Sequence, residues 1–300
     1  MSVSIPDVRV GEPNVCGGVA VFPLYSERSL LPDGDSTSGY ALAHEAMAAG
    51  TVVVREVCEA GSVGELMADN TGDQPSLFLE GEELRGAKQN RILRFSVLVA
   101  GRSQTKIPVV CVERGRWRYE SRKFVSGTHC PPTLRHLLKG GSPSGGTDQS
   151  RMWAEIRHRH RRLGVRSRSA NLSDAMDTHR GAVEDLQHRF SCPEGASGIA
   201  VALDGEVVLV DIFDGPATLA RIWDRLVQGI SLDALEVPDS EGRPCHTPIS
   251  ARLYRVKNVK WQRVDTIGLG ERYLARDDDM LATALVVDEV LLHLSVSVPT

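Results

Sequence analysis

Apolar residues along this chain gather in short β-rich runs parted by Gly, Asn and Asp, which read as strands. The first half offers TVVVREV (51–57), ELMADN (65–70), SLFLEG (76–81), ILRFSVLVAG (92–101) and KIPVVCVERGRW (106–117), a meander of short strands. One helix is predicted there, YALAHEAMAA (40–49), with Thr37 or Ser38 as cap and Gly50 as stop. In the second half, GIAVALDGEVVLVDIF (198–213) reads as strand, Asp204-Gly205 turn, strand. DGPATLARIWDRLVQG (214–229) follows as a helix capped by Asp214, with Pro216 in its first turn and Leu219, Ile222, Trp223 and Leu226 as its buried face. ARLYRVKNV (251–259) reads as a strand and TALVVDEVLLHLSVSV (283–298) as a closing hairpin.

Between the halves the period changes. A helix is predicted from near Asp148, carrying RHRHRR (157–162), after the loop GGSPSGGTDQ (140–149). A second, capped by Ser173, has Leu172, Met176, His179, Val183, Leu186 and Phe190 at steps of four and three, so His179 reads as a hydrogen-bonded core histidine. Cys192 and Pro193 end it, making 192–197 the best internal boundary. These patterns predict an α+β fold, β-rich, with mostly antiparallel sheets and three to four helices. The organisation expected is a β-rich N-terminal half (1–140), a basic helical segment (141–192) and an α+β C-terminal half (193–300), with one continuous domain as the alternative. Three stretches, 77–87, 201–213 and 284–296, look like related hairpins with Glu82, Glu206 and Glu289 in comparable places, which suggests two related halves.

Composition narrows the function classes. Three hundred residues, 41% hydrophobic and 25% charged, suffice for a sizeable core. A net charge of −4 gives no overall pull toward nucleic acid or anionic lipid. Residues 113–168 are the exception, with 14 Lys and Arg against four Asp and Glu. The run at 157–162 reads first as a solvated basic face, and a phosphate or nucleic acid partner would have to use 157–168. No apolar run is long enough for a membrane span and the N-terminus has no leader pattern, so no membrane partner and a cytoplasmic location are expected. Cysteines 16, 58, 111, 130, 192 and 245 show no CxxC spacing and read as reduced thiols.

One segment breaks the strand pattern. Glu80 to Arg91, EGEELRGAKQNR, sets Glu82, Glu83, Arg85, Lys88, Gln89, Asn90 and Arg91 between two apolar strands. Arg and Lys beside amides suit a phosphorylated or carboxylated ligand, and a nearby carboxylate suits general acid–base chemistry. The plainer alternative is a solvent-exposed, salt-bridged loop or a buried polar network that fixes itself. Cys111 and Glu113 alternate along the strand at 106–117 and point to one face, so both are expected to look toward this segment. Cys111 reads as structural for want of a neighbouring base, and His129, Cys130 and His136 lack a zinc spacing, so no metal site is predicted. No GxGxxG after a strand, GxxxxGK, HExxH or GxSxG is present, and no cofactor is specified.

LFLEGEELRGAKQNRILRFSVLVAGRSQTKIPVVCVERGRW resembles the signature of the ARG and Rhodanese-Phosphatase-superfamily-associated Protein domain family, ARG standing for ADP-ribosylglycohydrolase. The likeness extends to 40–70, 198–235 and 267–296, and covers roughly residues 10–298. It implies a ligand such as ADP-ribose, an NAD-derived nucleotide or a phosphosugar. Carried over residue by residue, it implies Glu82, Glu83 and Glu113 as catalytic candidates and Lys88, Gln89, Asn90, Arg91, Cys111 and Trp117 as ligand-binding ones. His293, in LHLSV, joins the ligand set on the same ground. Arg85 and Arg94 depart from the pattern expected of relatives. The expected function is hydrolase- or lyase-like processing of such a ligand at Gly81–Arg91; the alternative is a non-catalytic metabolite-binding or scaffold protein, a homo-oligomer, using the same segment.

Overall fold

In the computed structural model, described over residues 3–26, 39–140, 149–237 and 247–298, the chain is α+β with eighteen strands in three sheets. The largest, nine-stranded sheet joins both ends of the chain. Strands Val8–Val10, Asn14–Cys16 and Val19–Ser26 lie beside the hairpin Gly198–Leu203 and Glu206–Phe213, followed by Val290–Ser297, Met280–Val287, Glu271–Asp277 and Gln262–Val264. Strand alternation divides its side chains between two cores. Val19, Val21, Ile199, Val201, Leu209 and Phe213 meet Leu219, Ile222, Trp223 and Leu226 of the helix Pro216–Ala234. Ala20, Phe22, Leu24, Ala200, Ala202 and Ile212 meet Ile249, Leu253 and Val256 of the helix Thr247–Asn258.

The six-stranded sheet runs Phe124–His129, Glu82–Gly86, Arg91–Leu93, Ser103–Cys111, Glu65–Asn70, Val52–Glu56, and curls so that its two edge strands approach one another. Val54, Leu66, Leu84, Leu93, Ile107 and Val109 fill one side. Val110, Val112, Met152, Ile156, Leu172 and Ala175 form the core on the other, under the helix Gln149–Arg162. A three-stranded sheet, Val97–Val99, Ser76–Phe78 and Ala41–Leu42, contains the single parallel pairing among the described strands.

Several expectations need correction. Seven α-helices, not three or four, occur among the described residues. The stretch 251–259 is helical because Ile249, Leu253 and Val256 bury themselves at helical, not alternating, spacing. The stripe at 172–190 is split into Ser173–Thr178 and Arg180–Gln187, since His179 leaves helical geometry (φ −105°, ψ 20°) to reach the Leu163 carbonyl at 2.9 Å. Arg135–Lys139 is a short helix that no periodicity announced. Asp214 does not cap the helix backbone; its carboxylate accepts from Thr218 (2.6 Å) and Tyr40 (2.8 Å). The stretch 77–87 is no hairpin, because Ser76–Phe78 pairs with Val97–Val99 while Glu82–Gly86 belongs to the other sheet; 201–213 and 284–296 are hairpins. Thr37, Ser38, Asp148, Cys245 and most of the loop 140–149 lie outside the described residues.

Candidate functional site

Glu80 to Arg91 is neither exposed nor a simple loop. Glu82–Gly86 and Arg91–Leu93 pair antiparallel around a turn at 87–90, and Glu80, Glu82, Glu83, Lys88, Gln89, Asn90 and Arg91 are all buried. Gly86 enters the turn at φ +121°, where a Cβ would strike Ser121 Oγ at 2.6 Å. Charges taken out of water at this density require partners, and the structure supplies them face by face.

Strand alternation sends Glu82 and Glu83 apart. Glu82 accepts the Leu79 N–H at 2.9 Å and has His44 Nδ1 at 3.8 Å. Glu83 accepts from Arg85 Nε (2.7 Å), Thr128 Oγ1 (3.2 Å) and Ser173 Oγ, beside a cavity of about 360 Å³ lined by Arg85, Ser126, Thr128 and Arg180. Glu113 accepts the Asn90 N–H at 3.1 Å and pairs with Arg116 at 2.6 Å. Burial opposes its ionisation, but Arg116 and the Asn90 amide hold its carboxyl below the usual range. The Asn90 side chain also faces this way, donating to Ser173 Oγ at 3.1 Å and accepting from Gly86 N–H at 2.9 Å. The three carboxylates first considered for catalysis are thus engaged by neighbouring groups.

Lys88, Gln89 and Arg91 turn elsewhere. Lys88 Nζ donates to the Ala60 carbonyl (3.0 Å), and Arg91 donates to Gln89 Oε1 (3.0 Å) and the Ser62 carbonyl (3.4 Å). Both carbonyls belong to the connection 57–64 between Val52–Glu56 and Glu65–Asn70. Lys88 Nζ lies 5.4 Å from the Trp117 ring and 5.0 Å from Tyr119, and the Arg91 guanidinium lies 5.6 Å from Trp117. Trp117 is 46% exposed, so the ring pairs with the cations on the protein side and meets solvent too. Gly61 closes the arrangement at φ +78°; a Cβ there would stand 3.1 Å from Lys88 Cδ, 3.2 Å from Trp117 and 3.4 Å from Glu56 Oε2.

Glu56 is the residue sequence reasoning missed. Its Oε1 accepts the Lys88 N–H at 3.2 Å, while Oε2 is buried without a hydrogen-bond partner. Arg91 Nε is likewise buried and unpartnered, and burial lowers the pKa of its guanidinium. The signal was legible: Glu56 is in phase with buried Val52 and Val54, an acid on the inward face of a strand. Cys111 pairs with Arg91 across the strands and its thiol contacts the Val63 carbonyl at 3.6 Å. Burial pushes that thiol up to about 11, so it is a protonated, structural group at neutral pH.

His293 belongs to a different cluster. Its Nδ1 lies 2.7 Å from Ser96 Oγ, its Nε2 3.5 Å from Asp211, and its ring stacks on Phe213 at 4.9 Å. Around it, Glu80 accepts from Lys139 (2.6 Å), Arg135 (3.0 Å), Ser295 (3.0 Å) and Thr283 (2.7 Å), and Arg135 also grips Asp211 (3.3 Å). These side chains are buried and tie the nine-stranded sheet to the 80–96 region. His293 in LHLSV, Glu80 at the head of the polar segment and Asp211 inside VVLVDIF were its signs in the sequence.

The basic run is only partly a solvated face. Arg159 is buried between Asp233 and Glu236, each at 2.6 Å, and His160 is buried as well. Among the described residues, no group of three or more His, Cys, Asp or Glu is placed to hold a metal ion, and no helix is long and apolar enough to cross a membrane.

Lys88, Gln89 and Arg91 of one distinctive motif and Cys111 and Trp117 of the other thus meet at one cationic site with Glu56, while Asn90 and Glu113 meet on the opposite side. Neither among curated proteins nor among solved structures does the chain have a match. A family model does match over residues 7–297, and the chain belongs to the ARG and Rhodanese-Phosphatase-superfamily-associated Protein domain family.

Proposed function

We propose that this protein binds a phosphorylated nucleotide or sugar, of the ADP-ribose type, at the Glu56–Lys88–Arg91–Trp117 site, and hydrolyses it there. The observation that carries the reading is the open buried pair: a carboxylate oxygen of Glu56 and the Nε of Arg91, within electrostatic reach of each other and both without a hydrogen-bond partner. Such groups are costly in an empty site and useful in a filled one. Lys88 and Arg91 supply the positive charge for a phosphate, with Gln89 orienting the Arg91 fork. The Trp117 face offers a platform for a base or sugar ring. Glu56, whose Oε2 is buried and unpartnered beside Arg91, takes the proton-transfer role in preference to Glu82, Glu83 and Glu113. The family's name, which links it to ADP-ribosylglycohydrolases by association, agrees with this class of ligand.

Titration calorimetry with ADP-ribose, NAD and ribose 5-phosphate tests the reading. At least one is expected to bind, at least tenfold more weakly to Lys88→Ala and Arg91→Ala; Glu56→Gln should keep binding and lose turnover followed by chromatography. If none binds, the site assignment is overturned. A non-catalytic binding protein is the second reading, favoured by the internal engagement of Glu82, Glu83 and Glu113. Recovery of a bound ligand unchanged after prolonged incubation would establish it.

A further inference from the structure

The helix Gln149–Arg162 buries Met152, Ile156, Arg159 and His160, which leaves it two flanks. One flank, with Glu155, His158 and Arg162, lines a cavity shared with Asp233 and Glu236, and Arg162 pairs there with Glu155 and Glu236. The other flank carries Trp153, Arg157 and then Arg161 at steps of four. What lies beside this second flank is fixed by main-chain contacts. Gln149, at the head of the helix, accepts the Cys111 N–H at 3.0 Å and donates to the Cys111 carbonyl at 2.7 Å, and three residues on, the Arg114 guanidinium lies 5.7 Å from the Trp153 ring. From there the chain runs antiparallel to 169–171: Glu113 bridges to Asn171, and the Gly115 N–H donates to the Ser169 carbonyl at 2.7 Å. Gly115 permits the approach, since a Cβ would stand 2.8 Å from Ser169 Cα. The loop that leaves the helix thus returns Arg168 to the 114–115 backbone, with Arg166 just before it.

The cations of this region fall into two sets. Arg116, Arg122, Arg135, Lys139, Arg159 and Arg162 each meet a carboxylate. Among the described residues, Arg114, Arg157, Arg161, Arg166 and Arg168 have none within ion-pair distance, and all are exposed except the half-buried Arg157. The uncompensated set therefore gathers on the Trp153 side of the helix, in a chain whose net charge is −4. Trp153 is half-buried with its Nε1 buried, so the ring shows carbon to solvent beside the Arg114 guanidinium. A row of free cations can follow a phosphate backbone, and an indole under a guanidinium can stack a base. A duplex keeps its bases stacked inside, which makes the ring useful to a single strand only.

We propose that this face, Arg114, Trp153, Arg157, Arg161 and Arg168, binds single-stranded nucleic acid, with the arginines on successive phosphates and Trp153 against a base. The helix flank from Trp153 to Arg161 is about 12 Å long, and Arg114 and Arg168 extend the track across the strand end beside it.

Fluorescence anisotropy of a dye-labelled oligouridylate, titrated with the full chain at stepped salt concentrations, tests this. Binding is expected to weaken as salt rises, with a logarithmic slope of about 2–3, roughly 0.7 for each phosphate neutralised. Arg114→Gln/Arg157→Gln should weaken binding about tenfold or more and lower the slope by about 1.4. Trp153→Leu should weaken it about tenfold and leave the slope unchanged, because stacking releases no counter-ions. Lys88→Ala/Arg91→Ala should bind as the wild type does, which separates this face from the proposed small-molecule site. The proposal is overturned if the oligonucleotide does not bind at low salt, if the Arg114/Arg157 substitutions leave affinity and slope unchanged, or if a duplex of the same length binds as tightly. It is equally overturned if the Lys88/Arg91 substitutions abolish binding, or if the chain sediments with phosphatidylserine vesicles and ignores the oligonucleotide. Should Trp153→Leu fail to fold, the arginine variant decides.

Discussion

Replacing Glu80 by Gln probes the buried network with almost no change of shape. Its Oε1 receives Lys139 at 2.6 Å, Arg135 at 3.0 Å and Ser295 at 3.0 Å, while Oε2 receives Thr283 at 2.7 Å. The amide keeps one acceptor and loses the charge. Arg135 retains Asp211, but Lys139 Nζ is left with Ser295 Oγ at 3.1 Å and no carboxylate in contact. Removing one partner of a buried ion pair costs about 3–5 kcal/mol. For a chain of this length that corresponds to a fall in Tm of roughly 5–8 °C, read by calorimetry. The penalty should shrink as pH is raised, since burial already lowers the Lys139 pKa and an uncharged amine needs no carboxylate. Glu80→Gln/Lys139→Met should be less destabilised than the sum of the single variants, by about 1–3 kcal/mol. A loss below about 1 kcal/mol for Glu80→Gln, or strict additivity in the double variant, would refute the reasoning that these charges depend on each other.

Two further outcomes follow from burial. Cys111 and Cys130 are buried, with thiols pushed up to about 11 and about 12. They should resist a disulfide-exchange reagent at pH 8 in the folded protein while the exposed Cys58 reacts; fast labelling of Cys111 would sink its structural assignment. Stability should fall in two stages on acidification, measured by urea unfolding at stepped pH. Burial holds His129 well below its ordinary value, and His136 and His160 below theirs, so these rings stay neutral when folded and favour the fold above about pH 6.5, the benefit fading below it as the unfolded chain takes up protons. Burial works against the ionised forms of Glu80 and Asp211, but Arg135 and Lys139, with His293, override it and depress both pKa values, so their stabilisation is lost below about pH 4. A stability profile flat from pH 7 to pH 5 would contradict the histidine stage.

The amino-acid sequence by itself determined what depends on neighbours along the chain. The β-rich runs of 198–213 specify two strands and Asp204-Gly205 the turn between them, with φ values of +48° and +82°. Glu80–Arg91 stands out as too polar for its surroundings, and Glu56, in phase with Val52 and Val54, carried a similar mark that went unread. What only the tertiary structure decided is which distant residues meet. Strand Val19–Ser26 could have paired with any exposed edge, and it is Gly198–Leu203 that completes it. The segment 251–259 fits either period in isolation, and the apolar face of the nine-stranded sheet selects the helix. A buried charge reads as a contradiction until its partner is known. Glu80, Arg135, Asp211 and Ser295 are scattered through the chain, and low dielectric makes each of them tolerable only in the company of the others. The same holds for Lys88–Arg91: the sequence shows a dense polar segment, but the fold alone brings Glu56 and Trp117 against it and leaves one carboxylate oxygen and one guanidinium nitrogen without a partner.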